Sequence, residues 1–294
     1  MTVAPTDLAA IAVPPKRRRG VRSYLRRHPT IVIGGVLLGL MALSAIFAPC
    51  LGTTDPQALS PVQRLQWPSA EHWFGTDMLG RDVYSRTIYG ARVSLTVGLS
   101  VALLSTAFGL LIGLMTGFSR WVDAILMRVM DGLMSIPSVL IAIALMALTR
   151  ASLENVIFAI TVGEVPRVAR LVRGVVLTLR DLPFVEAAVA SGTSPPRILW
   201  RHIMPNTLPA LLVQATYTAA AAMLVEAILS FLGAGTPPDI PSWGNIMAEG
   251  RSLFQIACYI VLFPGAFLSA TVLAINLLGD GLRDALDPRL ASRM

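Results

Sequence analysis

Charge is scarce in this 294-residue chain: Asp, Glu, Lys and Arg make up 14% of it, where an average soluble domain carries about 25%. Cysteine occurs twice and histidine three times, and the run Gly-x4-Gly-Lys-Ser/Thr is missing altogether. Each shortage excludes something. Without that glycine-rich phosphate cradle the chain has no such route to a nucleotide, so any energy from ATP must enter through another subunit. No carboxylate has an evident partner for acid-base work and no nucleophile with its base is recognisable, so catalysis is not expected. His28, His72 and His202 lie in three separate segments and no Cys-x2-Cys pair exists, which predicts no metal site and no cofactor held by this chain. Cys50 and Cys258 fall near helix ends where an oxidising compartment would permit a bridge; two buried, unpaired thiols acting as small apolar groups are the preferred reading.

What fills the chain is apolar: 54% hydrophobic residues and a mean hydropathy of +0.67 describe a protein solvated by lipid. A hydrocarbon core of about 30 Å needs roughly 20 apolar residues per helix, and residues 30–50, 93–118, 124–148, 208–233 and 256–279 meet that length. Residues 153–174 form a sixth candidate, apolar from Val156 to Gly163 and then crowded by Glu164, Pro166, Arg167, Arg170 and Arg173, whose arginines are expected to snorkel to headgroups. The first apolar run, about 20 residues ending Phe47-Ala-Pro-Cys50, is too long for the apolar region of a cleaved signal, and Pro49 suits cleavage poorly. It is read as a retained span. Residues 1–15, with Pro5, Pro14 and Pro15, are read as a disordered lead-in.

With six spans both termini share a side, and the cations choose it. Eighteen of the 24 Lys and Arg fall on one side: the tail from Lys16 to Arg27, Arg120 and Arg128, the stretch from Arg167 to Arg201, and Arg283, Arg289 and Arg293. The six on the other side, Arg64, Arg81, Arg86, Arg92, Arg150 and Arg251, are interleaved with acids. Both termini of this multi-pass membrane protein are therefore placed in the cytoplasm. A net charge of +7 and a pI of about 10.2 are then the ordinary result of a basic face beside anionic lipid and call for no nucleic acid. The expected layout is a basic tail (1–29), a first span (30–50), an extracytoplasmic loop (51–92), a core of five spans (93–279) containing a cytoplasmic loop (175–207), and a cytoplasmic C-terminal tail (280–294).

Residues 181–205 read as two short helices meeting at a sharp turn. Asp181 is placed to cap the first, Pro183 fits its first turn, Glu186 complements its positive end, and Gly192 suits the left-handed residue that ends it. Ser194 and Pro195 would open the second, and Pro205 and Pro209 mark the entry to the next span. Ala187, Ala188, Val189 and Ala190 make the first helix thin, so that it could sit deep in a groove of another protein.

Glu186, Ala187, Ala188, Gly192 and Pro205 match by position the Glu-Ala-Ala motif of ABC importer permeases, with His202 and Met204 where the pattern has Ile and Leu. Four further segments resemble the C-type permease subunit of dipeptide and oligopeptide importers. They are Phe74–Arg86, Glu226-Ala-Ile-Leu-Ser-Phe-Leu-Gly233, Pro241-Ser-Trp-Gly244 and Asn276–Arg289. One departure is Val165, where such permeases often carry Trp. The resemblance implies an all-α, six-span type I importer permease without catalysis of its own, in the cytoplasmic membrane of a prokaryote. Its implied partners are a homologous second permease, cytoplasmic ATPase subunits holding ATP and Mg, an extracytoplasmic peptide-binding protein, and membrane lipid. The helix at Glu186 would be the coupling helix.

Other polar residues inside spans admit two readings. Glu226 either serves the transport pathway or bonds a neighbouring helix, and the same alternatives hold for Asn276 and for an Arg128 and Asp131 pair, with helix contact preferred for these three. The small residues Thr216 to Ala222 suit close packing within the chain or against the second permease, and Gly75 to Arg86 reads as a structural segment leading into span two ahead of a contact with the binding protein. No selectivity filter is legible. The same architecture carrying nickel or another small solute is the near alternative. A secondary transporter or channel is the distant one, because the halves lack convincing self-similarity.

Overall fold

The computed structural model describes residues 29–286, which contain helices, turns and one isolated bridge between Thr76 and Asp82, with no strand among them. The expectations for the basic tail, the proline-containing lead-in, His28, Arg289 and Arg293 fall outside the described residues. The helices are α1 (Pro29–Ile46), α2 (Val83–Phe118), α3 (Arg120–Met134), α4 (Ser138–Leu148), α5 (Leu153–Arg180), α6 (Pro183–Ala190), α7 (Pro195–Ile198), α8 (Met204–Phe231), α9 (Trp243–Gly250) and α10 (Tyr259–Leu286). α1, α2, the continuous run from α7 through α8, and α10 are long and apolar enough to cross a membrane, and α3 with α4 adds a fifth if the bent pair counts as one span. α5 is 28 residues long, about 42 Å at 1.5 Å per residue, and carries Glu164, Arg167, Arg170 and Arg173 from its middle onward. The architecture is the expected all-α, polytopic one.

Two boundaries differ from those read in the sequence, each for a local reason. α2 begins at Val83 rather than 93 because Asp82 caps it, its carboxylate accepting from the Ser85 backbone N–H at 2.7 Å. The span expected over 124–148 is broken: α3 and α4 meet at 88° across Ser135, Ile136 and Pro137. Pro137 lacks an N–H and steers the residue before it away from helical geometry, so the ladder stops there. The arginines of α5 also meet acids, which their sequence neighbours alone do not announce. Arg167 binds Glu164 at 2.9 Å, Arg170 reaches Asp131 of α3 at 2.6 Å, and Arg173 grips Asp123 of α3.

α2 and α5 form the most extensive helix pair in the bundle. Gly109, Gly113 and Gly117 recur every fourth residue on α2 and receive Val168, Val172 and Val176 of α5; a Cβ at Gly113 would lie 2.5 Å from that of Val172. In lipid, helices associate through close packing more than through exclusion of water, so such small-residue seams set which helices touch. The Thr216–Ala222 run works the same way inside the chain: Gly98 of α2 sits against Ala219 and Met223, and Gly279 of α10 against Thr216. α1 docks on α10 and α2 from outside, its last carbonyls at Ala45 and Ile46 accepting from Arg92 at 2.5 and 3.0 Å. Large apolar side chains such as Leu40, Leu43, Leu99, Leu103, Leu262 and Leu273 face outward, the inversion a bilayer requires.

Gly113→Leu is expected to force α2 from α5 and cost about 1–3 kcal/mol of stability. Gly132→Ala, at a position that nothing approaches within 4 Å, should hold or slightly raise it. Unfolding midpoints in mixed micelles check both.

Candidate functional site

One end of the bundle carries α6, joined to α5 by only Asp181 and Leu182. Asp181 does not cap α6. Pro183 fixes the first helical position, so the capping position falls to Leu182, and Asp181 instead closes α5 while its carboxylate accepts from Arg180 at 3.3 Å. Gly192 has φ of 74° and completes a Schellman turn: Thr193 N–H donates to Ala188 O at 3.1 Å and Gly192 N–H to Val189 O at 2.9 Å. Ser194 precedes α7 without a side-chain cap bond.

Val185 alone of α6 is buried, packed with Val176, Ile198 and Ile203, whereas Phe184, Glu186, Ala187 and Val189 are exposed. A short helix is thus held on one side by Val185 and the half-buried Ala188 and open along the rest. Pro205 lies exposed in the first turn of α8, just past a π turn at Leu199–Ile203. Because Pro205 has no N–H for the fourth carbonyl back, the ladder shifts there to a longer bond, Met204 N–H to Leu199 O.

Deep in α8, Glu226 is wholly buried. Its Oε1 accepts from Ser230 Oγ and Ser242 Oγ, each at 2.9 Å, and its Oε2 has no protein partner. Ser242 also caps α9, accepting from Asn245 N–H at 3.1 Å. Trp243 beside it is buried against Gly90 and donates to Thr87 O at 2.9 Å. The segments Glu226–Gly233 and Pro241–Gly244, separate in the sequence, therefore meet at one carboxyl group. It joins α8 to the loop before α9.

The end opposite α6 is a cap built from residues 47–82 and α9. Asp77 accepts from Arg81 and Arg86 at 2.6 Å each, and Glu249 accepts from the same two arginines at 2.5 Å. Arg86 is 1% exposed. Two cations and two anions close on each other with no net charge, tying the 76–82 loop, the first turn of α2 and the end of α9 together. Glu249 carries a role that its sequence context does not announce, since 163 residues separate it from Arg86. A cavity of about 260 Å³ beside this network is lined by Ser230, Thr236, Asn245, Glu249 and Arg251 among others.

The remaining singled-out residues scatter. Arg128 and Asp131 do not pair: Asp131 turns to Arg170, while Arg128 is exposed with no ion pair among the described residues. Asn276 is half-buried in α10. His72 meets Asp82 at 3.1 Å, far in sequence from His202, and no three His, Cys, Asp or Glu among the described residues gather as a metal site would need. Cys50 is exposed rather than buried, because it lies past the end of α1 in a short turn; Cys258 is half-buried, and both are free thiols.

Two family models match. One, described as "Binding-protein-dependent transport system inner membrane component", covers residues 105–292, and another, "N-terminal TM domain of oligopeptide transport permease C", covers 17–68. A "Probable peptide ABC transporter permease protein" of Sinorhizobium fredii is 52% identical, spanning 91% of this chain and 92% of its own. A "Dipeptide transport system permease protein" of Alkalihalophilus pseudofirmus is 43% identical over 91% and 88%, and a "Glutathione transport system permease protein" of Pectobacterium atrosepticum 40% over 92% and 90%. A chain of the MetNI methionine ABC transporter, in an inward-facing crystal form, superposes with a TM-score of 0.57 over 69% of this chain and 96% of its own. At 22% identity that likeness concerns the fold alone.

Arg86→Met should leave the buried Asp77 and the half-buried Glu249 short of a cation and cost about 3–5 kcal/mol. A lowered unfolding midpoint, with the chain still inserted in the membrane, is the expected readout.

Proposed function

Because this chain belongs to the binding-protein-dependent transport system inner membrane components, and is a non-catalytic permease subunit of an ABC importer, we propose that it forms half of a pathway carrying dipeptides or oligopeptides into the cell. Relatives named for peptides, dipeptides and glutathione support the peptide class. The other half is a homologous second permease. ATPase subunits that hold ATP and Mg dock on the cytoplasmic face, and an extracytoplasmic binding protein delivers the peptide. Both termini lie in the cytoplasm, as the distribution of arginines supports.

The observation that carries the coupling assignment is the exposed α6. Its only buried side chain is Val185, its C-terminal turn is fixed by Gly192, and two residues join it to the 28-residue α5. A helix held this way is a rigid handle. Closure of the ATPase pair moves it, and the attached spans follow between two packings; nucleotide shifts the equilibrium only as far as it prefers one packing over the other. Glu186, Ala187, Ala188, Gly192 and Pro205 shape the handle or its surroundings. Glu226, with its bonds to Ser230 and Ser242, holds helices together and does not line an open route.

Binding-protein-dependent uptake of radiolabelled dialanine into proteoliposomes, using the full complex, tests this reading. Glu186→Arg places the wrong charge on the docking face, and Gly192→Pro cannot adopt a φ of 74°. Each is expected to lower uptake about tenfold or more with the chain inserted normally. Normal uptake in both would overturn the coupling assignment, and uptake of nickel in place of peptide would overturn the substrate class.

A further inference from the structure

α3 and α4 form a bent strap whose two arms are fastened to α5 by different means. The α4 arm packs apolar side chains, Ala142 and Met146, against Val156, Ala159 and Ile160, and Gly163 of α5 sits against Ser138 at the bend. The α3 arm has a thinner apolar seam, Met127 and Met130 over Ala169, and adds two ion pairs. Arg173 forks onto Asp123, with Nη2 at 2.7 Å from Oδ2, and Arg170 Nη2 donates to Asp131 Oδ1 at 2.6 Å. Both arginines lie in the last three turns of α5. Seven residues beyond Arg173, Arg180 ends α5 and donates to Gly117 O at the end of α2, and α6 begins three residues later.

The ion pairs thus stand on the one unbroken helix that leads into the handle, on the arm held least firmly by apolar packing. In the Asp131 pair both partners are about half exposed, 49% and 56%, which makes it a weak bond that can open and re-form. Resting on the coupling assignment above, we propose that Arg170–Asp131 and Arg173–Asp123 are an ionic latch that passes displacement of α6 to the α3–α4 strap, with Asp123 and Asp131 as positioning residues for transport. The bend at Ser135–Pro137 is then the joint about which the α3 arm follows α5.

The test uses the reconstituted complex with its binding protein and radiolabelled dialanine, reading uptake and ATP hydrolysis together. Asp123→Arg with Asp131→Arg is expected to lower uptake about tenfold while stimulated hydrolysis stays within about twofold, an uncoupling that mere destabilisation does not produce. Adding Arg170→Asp and Arg173→Asp, which restores both pairs with reversed polarity, is expected to recover at least about half of the lost uptake. Unchanged uptake in the first variant overturns the latch. So does parallel loss of uptake and hydrolysis that the reversed pairs fail to rescue. Glu186→Arg run alongside separates the two ideas: if it leaves uptake intact the coupling assignment falls, whereas loss there with unchanged uptake in the aspartate variant removes the latch alone.

Discussion

Everything in this bundle hangs on how closely α2 can approach α5. Lipid gives apolar side chains little reason to leave it, so helices in a membrane are sorted by shape, and a glycine every fourth residue offers a groove that a row of valines can fill. Gly109, Gly113 and Gly117 provide that groove and Val168, Val172 and Val176 fill it. Once α5 is laid along α2, its C-terminal arginines reach Asp123 and Asp131, its end meets the end of α2, and α6 emerges at a fixed place and angle. The polar features of the α6 end are consequences of an apolar seam.

The opposite end is governed by electrostatics in a confined space. A buried guanidinium costs several kcal/mol to desolvate, and Arg86 is tolerated because Asp77 and Glu249 both meet it and Arg81 balances the second acid. Such a network contributes less net stability than its bonds suggest, but it admits only one arrangement of the three segments it joins. Glu226 works similarly in α8, where its serine partners seat the loop ahead of α9 against the bundle.

The sequence made the apolar segments plain because length and composition suffice for them, and the α6 turn because a Gly at 192 after an alanine-rich helix has few other uses. Asp181 fails as a cap because Pro183, which fits anywhere in a first turn, takes the very first helical position and moves the cap to Leu182. The break at residues 135–137 was signalled by Pro137, yet an apolar run on both sides masked it. The glycine spacing in α2 was visible, while its partner face on α5 was not, since periodicity describes a surface and not what covers it. Pairings across long separations, Arg86 with Glu249 or Glu226 with Ser242, leave no local trace at all.

The two ionic assemblies differ in one respect with a bearing on the cell. Those at the cap are mostly buried and largely shielded from counterions, while the Arg170–Asp131 pair is about half exposed, and exposed charges are screened over about 8 Å at physiological ionic strength. A rise in ionic strength around α6 is therefore expected to loosen the contact of α3 with α5 before it touches the far end.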